Sequence, residues 1–170
     1  MLSEKMIKSL NHQVNREIYS AYLYLGMASY SLNAGLSGVA NWFNIQVREE
    51  LSHAEKIYNY VSQQGGRVIL EAIETPPQDF ISAKDLFQKT LEHEKKVTAL
   101  INDLVTLAKS EDDHATGIFL QWFVSEQVEE ESNAMEILQK IDLVGDGNGL
   151  FMLDNELGKR VFTPPAAAAM

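Results

Sequence analysis

The chain has 170 residues, no cysteine, and a formal charge of −10 with an isoelectric point near 4.8. That length suits one domain with a substantial core, and the missing cysteines exclude disulfides and thiolate metal sites. So acidic a chain is a poor partner for nucleic acid and attracts cations, and no apolar run is long enough to span a membrane. The opening residues, MLSEKMIKSL, carry no signal-peptide pattern, which together with the absence of cysteine points to a cytoplasmic protein.

Ser3 is placed to cap a first helix reaching about Leu32, with Gly35 as its stop. Along it Ile7, Leu10, Val14, Glu17, Ala21, Tyr24 and Ala28 recur at steps of three and four, so they share one face. Ser37 is placed to cap a second helix that runs to the Gly65-Gly66 pair. Its seam is Val39, Phe43, Gln46, Glu50, His53, Ile57 and Tyr60. Residues 67–81 show no helical period: Pro76-Pro77 forbid regular helix, and Val68 to Ile73 reads as extended. Ser82, with Asp85 three residues later, opens a third helix that ends near Ser110. Its seam is Ala83, Phe87, Thr90, Glu94, Val97, Ile101, Leu104 and Ala108. Asp112 or Asp113 caps a fourth, which stops before Gly145. There the seam is Leu120, Phe123, Gln127, Glu130, Ala134, Ile137 and Ile141.

The links fix the topology. The first-to-second and third-to-fourth links are short, so those pairs are antiparallel hairpins. The link over 66–81 reaches roughly 50 Å at about 3.3 Å per residue. The second helix is roughly 40 Å long at about 1.5 Å per residue. The link therefore crosses the whole bundle and lets the third helix run parallel to the second. The fold class is all-α: a four-helix bundle with a long crossover between helices two and three. After the turn DGNG, Gly149 to Lys159 reads as a short fifth helix. Its Leu150, Phe151, Leu153 and Leu157 want a partner, either another molecule or the helix's own bundle. Residues 1–145 form the bundle. Residues 146–170, the fifth helix and an irregular tail VFTPPAAAAM, belong to the same domain.

Each seam is apolar at both ends and polar in the middle. Four helices side by side would bring Glu17, Glu50, His53, Glu94 and Glu130 to one level of one core. A buried ionised carboxylate costs several kcal/mol even after relaxation. The seams supply no lysine or arginine, so metal ions are the simplest source of positive charge. Oxygen and imidazole ligands suit iron, zinc or manganese. The competing reading rotates one or two seams and leaves their glutamates solvated. It is the better reading of any single glutamate and the worse one of four at matching heights. His12, His93 and His114 lie off the seams or at helix ends and read as surface or capping residues. Trp42 and Trp122 read as core.

These pieces resemble the ferritins of the bacterial and archaeal non-haem type. The resemblance lies in NREIYSAYLYL around Glu17, REELSHAEKIYNYV around Glu50 and His53, and LEHEKKVT around Glu94. FLQWFVSEQVEEE around Glu130 and the ending LFMLDNEL complete it, so nearly the whole chain is covered. It implies a ferroxidase, with a di-iron centre oxidising Fe(II) by dioxygen or peroxide and passing Fe(III) to a mineral. By position, Glu17 and His53 would hold the first iron and Glu50 would bridge. Glu94 and Glu130 would hold the second, with Gln127 beside it. Tyr24 matches a tyrosine credited with electron donation; on the residues alone it reads equally as a packed core aromatic. Glu49, Glu126 and Glu129, helped by Glu130, match a third iron site, although a Glu-rich helix face is usually just solvated. The resemblance further implies a hollow twenty-four-subunit cage with the fifth helices meeting at four-fold axes.

Four departures narrow it. Di-iron bundles of the symmetric kind use Glu-x-x-His twice, whereas here the second copy is Gln127-x-x-Glu130. Leu51 follows Glu50 where bacterioferritins carry a haem-binding Met, so no haem is expected. The lack of cysteine excludes a rubredoxin-like domain. Gly117 and Leu120 stand where animal ferritins place channel carboxylates. Two other readings stay open: a different di-iron oxidase on the same bundle, and a structural bundle with incidental glutamates.

Overall fold

The structure is a computed structural model and describes residues 1–145 and 147–164. Its helices are α1 (Glu4–Asn33), α2 (Ser37–Gln63), α3 (Ala83–Ser110), α4 (His114–Val144) and α5 (Asn148–Leu157). No strand occurs among the described residues, and Val68 to Ile73 is irregular rather than paired. No described helix is long and apolar enough to cross a membrane.

Three of the four expected caps form. Ser3 accepts from the Met6 N–H at 3.0 Å, Ser82 from Asp85 at 3.1 Å, and Asp113 from Thr116 at 3.0 Å. Asp112 instead takes the left-handed turn before the cap, at φ 54°. Ser37 does not cap α2; it is already the first helical residue, and Leu36 before it offers no side-chain acceptor. The acceptor comes from α5, where Asp154 Oδ1 takes the Val39 N–H at 2.8 Å. A carboxylate there satisfies a free donor and meets the positive end of the helix dipole.

Two apolar clusters define how the helices run. One gathers Tyr24 and Met27 of α1, Val39 and Phe43 of α2, Leu86 and Phe87 of α3, Ile137 and Ile141 of α4, and Leu153 and Leu157 of α5. The other gathers Leu10 of α1, Ile57 of α2, Ile101 and Leu104 of α3, and Leu120 and Phe123 of α4. The first ends of α2 and α3 thus lie with the last ends of α1 and α4, so α2 and α3 are parallel. The link over 64–82 must span the bundle, and it does so along α1. Asn11 donates to the Arg67 carbonyl at 3.1 Å and Asn15 to the Ala72 carbonyl at 3.1 Å, and Tyr30 meets Phe80 edge-on at 5.4 Å.

The fifth helix folds back on its own bundle with one face only. Leu153 and Leu157 are buried on the bundle, whereas Phe151 and Met152 are exposed. Beyond it Asn41 donates to the Arg160 carbonyl at 3.0 Å, and the Arg160 guanidinium lies over Trp42, 4.8 Å from the ring centroid. In the tail, 161–164 is irregular; Asp146 of the expected turn and residues 165–170 lie outside the described residues. One expectation about histidine fails. His93 is partly buried between α1 and α3, 2.8 Å from Ser20 Oγ and edge-on to the Tyr24 ring. His12 and His114 are exposed as expected.

Candidate metal centre

Between the two apolar clusters the four seams present their polar residues. Glu17 comes from α1, Glu50 and His53 from α2, Glu94 from α3, and Gln127 and Glu130 from α4; all six are buried. None exceeds 4% exposure, so no seam is rotated toward solvent. Among the described residues no lysine or arginine is buried with them.

Their geometry is that of an inward-facing ligand set. His53 Nδ1 lies 3.4 Å from Glu50 Oε2 and 4.0 Å from Glu17 Oε2. Glu17, Glu50 and His53 each bring one ligand atom within 4.8 Å of the others, close enough for one cation. Glu94 accepts the Tyr24 hydroxyl on one oxygen and the Gln127 amide, at 3.1 Å, on the other. Gln127 also donates toward the Glu94 carbonyl at 3.2 Å. His53, Glu126 and Glu130 form a second possible ligand group, with Glu126 Oε1 3.7 Å from His53 Nε2. Glu17 Oε2 and His53 Nε2 are buried and have no hydrogen-bond partner. Buried polar atoms are almost always satisfied, so two orphans facing one cluster of acids mark a place for a cation.

The electrostatics point the same way. Burial, reinforced by Glu94, pushes the Glu130 carboxyl up to about 8. Burial raises Glu94 to about 7, against the pull of its hydrogen bonds from Tyr24 and Gln127. Glu50 is raised well above the carboxylate range by burial and by its acidic neighbours Glu94 and Glu17. Burial works against the His53 cation, yet Glu126, Glu50 and Glu17 hold its pKa well above the ordinary histidine value. Burial and the surrounding glutamates likewise keep Tyr24 protonated. Without a cation the cluster therefore binds protons where positive charge is wanted, and a divalent cation would displace them.

Among the described residues the three outer glutamates do not form one ligand group. Glu126 turns inward to His53, Glu129 is exposed, and Glu49 pairs with Arg160 at 2.7 Å. Burial raises Glu49 in spite of that arginine. Trp42 is core, packed edge-on against Phe43 and Phe87. Trp122 is only partly buried; it stands edge-on to His53 at 5.4 Å with the Lys56 ammonium over its ring. Two amides outside the expected site also reach its carboxylates. Gln13 donates to Glu17 Oε1 at 2.8 Å, and Gln46 donates to Glu130 Oε2 at 2.9 Å. A glutamine one turn before a seam glutamate is the signal that finds the first. The second lies on the α2 seam one turn before Glu50, but its partner, Glu130 of α4, leaves no local trace.

A family model described as a ferritin-like domain matches residues 7–144. The bacterial non-heme ferritin of Campylobacter jejuni is 42% identical over 155 residues, which is 91% of this chain and 93% of that protein. A probable bacterial non-heme ferritin-like protein of Haemophilus influenzae is 41% identical over 159 residues, 93% of this chain and 96% of its own. Among solved structures, an open-pore ferritin from the hyperthermophilic archaeon Archaeoglobus fulgidus superposes with a TM-score of 0.93 at 50% identity. That superposition covers 95% of this chain and all of the archaeal one. A form of the same archaeal ferritin engineered to be closed gives 0.94 at 51% identity.

Proposed function

The chain belongs to the ferritin family, and from that premise we propose that it stores iron, oxidising Fe(II) at the inner cluster and depositing Fe(III) as a mineral inside a hollow twenty-four-subunit cage. The observation that carries this reading is the buried level of four carboxylates and one imidazole, with no buried lysine or arginine among the described residues to balance it. Iron is the substrate here, and its positive charge is what the cluster lacks.

Glu17 and His53 take one Fe(II), and Glu94 and Glu130 the other. Glu50 lies between them and binds both. Gln127 sits beside the second ion and holds Glu94 by its amide. Each Fe(II) gives one electron to dioxygen or peroxide, and protons displaced from the raised carboxyls leave as the ions enter. Tyr24 is an oxidisable side chain already hydrogen-bonded to the cluster through Glu94; with the two inner irons and a third Fe(II) it makes up the four electrons that take dioxygen to water. A third iron takes Glu126, Glu129 and Glu49, the last only once Arg160 releases it. No haem takes part. Residues 146–170 belong to the same domain, and the exposed Phe151 and Met152 of α5 meet their copies in the cage. The protein acts in the cytoplasm.

The test is aerobic Fe(II) titration of purified protein beside a sizing column. Storage requires a large particle and uptake far beyond the site stoichiometry. Uptake that stops at that stoichiometry would replace storage by a di-iron oxidase. No uptake at all would leave a plain helical bundle.

A further inference from the structure

Three buried glutamine amides each donate to a different carboxylate of the cluster. Gln127 holds Glu94, Gln13 holds Glu17, and Gln46 holds Glu130. Glu50, at the centre, receives none. Gln13 is 1% exposed and Gln46 is fully buried, so neither hydrogen bond exchanges freely with water. We propose that Gln13 and Gln46 are positioning residues, each fixing a different carboxylate and through it a different one of the two cations; this rests on the reading of the inner cluster given above.

The chemistry favours an amide for this task. A charge-assisted N–H···O bond is short and directional, so it fixes the carboxylate rotamer. Being neutral, the amide does not oppose an incoming cation, as a lysine in the same place would. An apolar side chain would leave the acid both uncompensated and free to turn. Residues that orient metal ligands in this way commonly alter metal affinity by about ten- to a hundredfold when lost.

The geometry divides the work. Gln13 sits one turn before Glu17 on α1 and takes Oε1. The other oxygen, Oε2, stays unpartnered and faces His53 Nδ1 at 4.0 Å. Gln46 sits one turn before Glu50 on α2 and reaches across to Glu130 on α4. Its own Oε1 is buried without a donor, so it is free to accept from a water carried in by the cation. Gln13 therefore acts on the Glu17–His53 side and Gln46 on the Glu94–Glu130 side.

The substitutions Gln13→Met and Gln46→Met keep length and burial but remove the donor. Full-length assembled protein is titrated with Co(II), a divalent probe, and occupancy at each position is refined from anomalous diffraction at limiting metal. Gln13→Met should weaken the ion at Glu17 and His53 about tenfold, about 1.4 kcal/mol, and spare the other. Gln46→Met should do the reverse. If either methionine variant fails to assemble, the leucine variant at that position carries the same test. Equal weakening of both ions by both variants would mean general loosening and overturn the proposal, as would no change in either. A parent that binds no Co(II) here refutes the inner-cluster reading and this inference with it. A parent that binds both ions, with unchanged variants, refutes this inference alone.

Discussion

Glu50 is the acid on which the inner cluster turns. No amide holds it, and its close neighbour is the His53 imidazole at 3.4 Å. In the proposed centre every other acid serves one metal position, whereas Glu50 would serve both. Replacing it by alanine should leave two separate half-sites and lower the initial rate of Fe(II) oxidation by about a hundredfold or more. Stopped-flow absorbance after mixing measures this, and rates near the parent's would sink the di-iron reading. Gln127 offers a subtler case. Its amide donates to the carboxylate and carbonyl of Glu94 and to Thr98 Oγ1. In Gln127→Glu the donor is lost and a second carboxylate meets Glu94 in a poorly solvated place. The empty protein should lose about 1–3 kcal/mol, read by thermal or denaturant unfolding. The loaded protein should instead hold its second ion more tightly, because the added charge now faces a cation. Product would then leave slowly, so repeated Fe(II) aliquots should react at falling rates after a normal first one. Later aliquots as fast as the parent's would show that Gln127 does not tune release.

At the scale of elements, the start of α2 is where the chain depends most on a distant partner. Asp154 of α5 caps it through Val39, and a Cβ added at Gly38 would fall 1.6 Å from the Asp154 carbonyl oxygen. Backbone cannot yield as a side-chain tip can, so Gly38→Ala must push α5 off or shift the first turn of α2. Overpacking of this kind costs about 1–3 kcal/mol, and the lost cap adds about 1 kcal/mol. The variant should stay helical by circular dichroism, melt lower, and assemble less completely by sedimentation. Full stability and assembly would show that α5 docks elsewhere in solution. The same contact shows why part of the fold is legible in the sequence and part is not. Ser3, Ser82 and Asp113 cap helices within three residues of themselves, so local pattern finds them. Asp154 acts 115 positions from Val39, and Ser37 is the local candidate that loses to it. The buried cluster is legible because helical period alone carries Glu17, Glu50, His53, Glu94 and Glu130 to one face each. His93 is misread because it lies off its seam, and its burial depends on Ser20 and Tyr24 of α1. The pairing of Glu49 with Arg160 is not legible, because the two lie 111 positions apart and nothing near Glu49 announces the arginine.

The whole molecule is an apolar bundle with a charged waist. Tyr24, Phe43 and Phe87 pack above it and Leu10, Ile57 and Phe123 below. Without a cation the carboxylates of the waist are stabilised by protons, by amides, by the Tyr24 hydroxyl and by His53. Folding raises Glu94 to about 7 and Glu130 to about 8, both chiefly by burial. It raises Glu50 and His53 as well, though for His53 burial opposes the rise. A group whose pKa is raised by folding stabilises the folded state fully below its unfolded pKa, and that contribution fades as pH climbs through the folded value. The acids of the waist therefore favour the empty protein most near pH 4 and least above about pH 8. A bound cation reverses this slope, because it needs the ionised carboxylates and stabilises only the state that gathers them. At a free concentration a hundred times its Kd, one bound ion adds about 2.7 kcal/mol. Zn(II), which is redox-inert, should thus raise the melting temperature strongly at about pH 8 and only slightly at about pH 5.5, where protons hold the same oxygens. The surface acid Asp85, lowered by its hydrogen bond from Lys89, titrates below this window and does not disturb the comparison. Calorimetric scans of the assembled protein with and without Zn(II) at the two pH values measure the difference directly. A Zn(II) shift that is equal at both, or larger in acid, would mean that the waist is not where the cation binds.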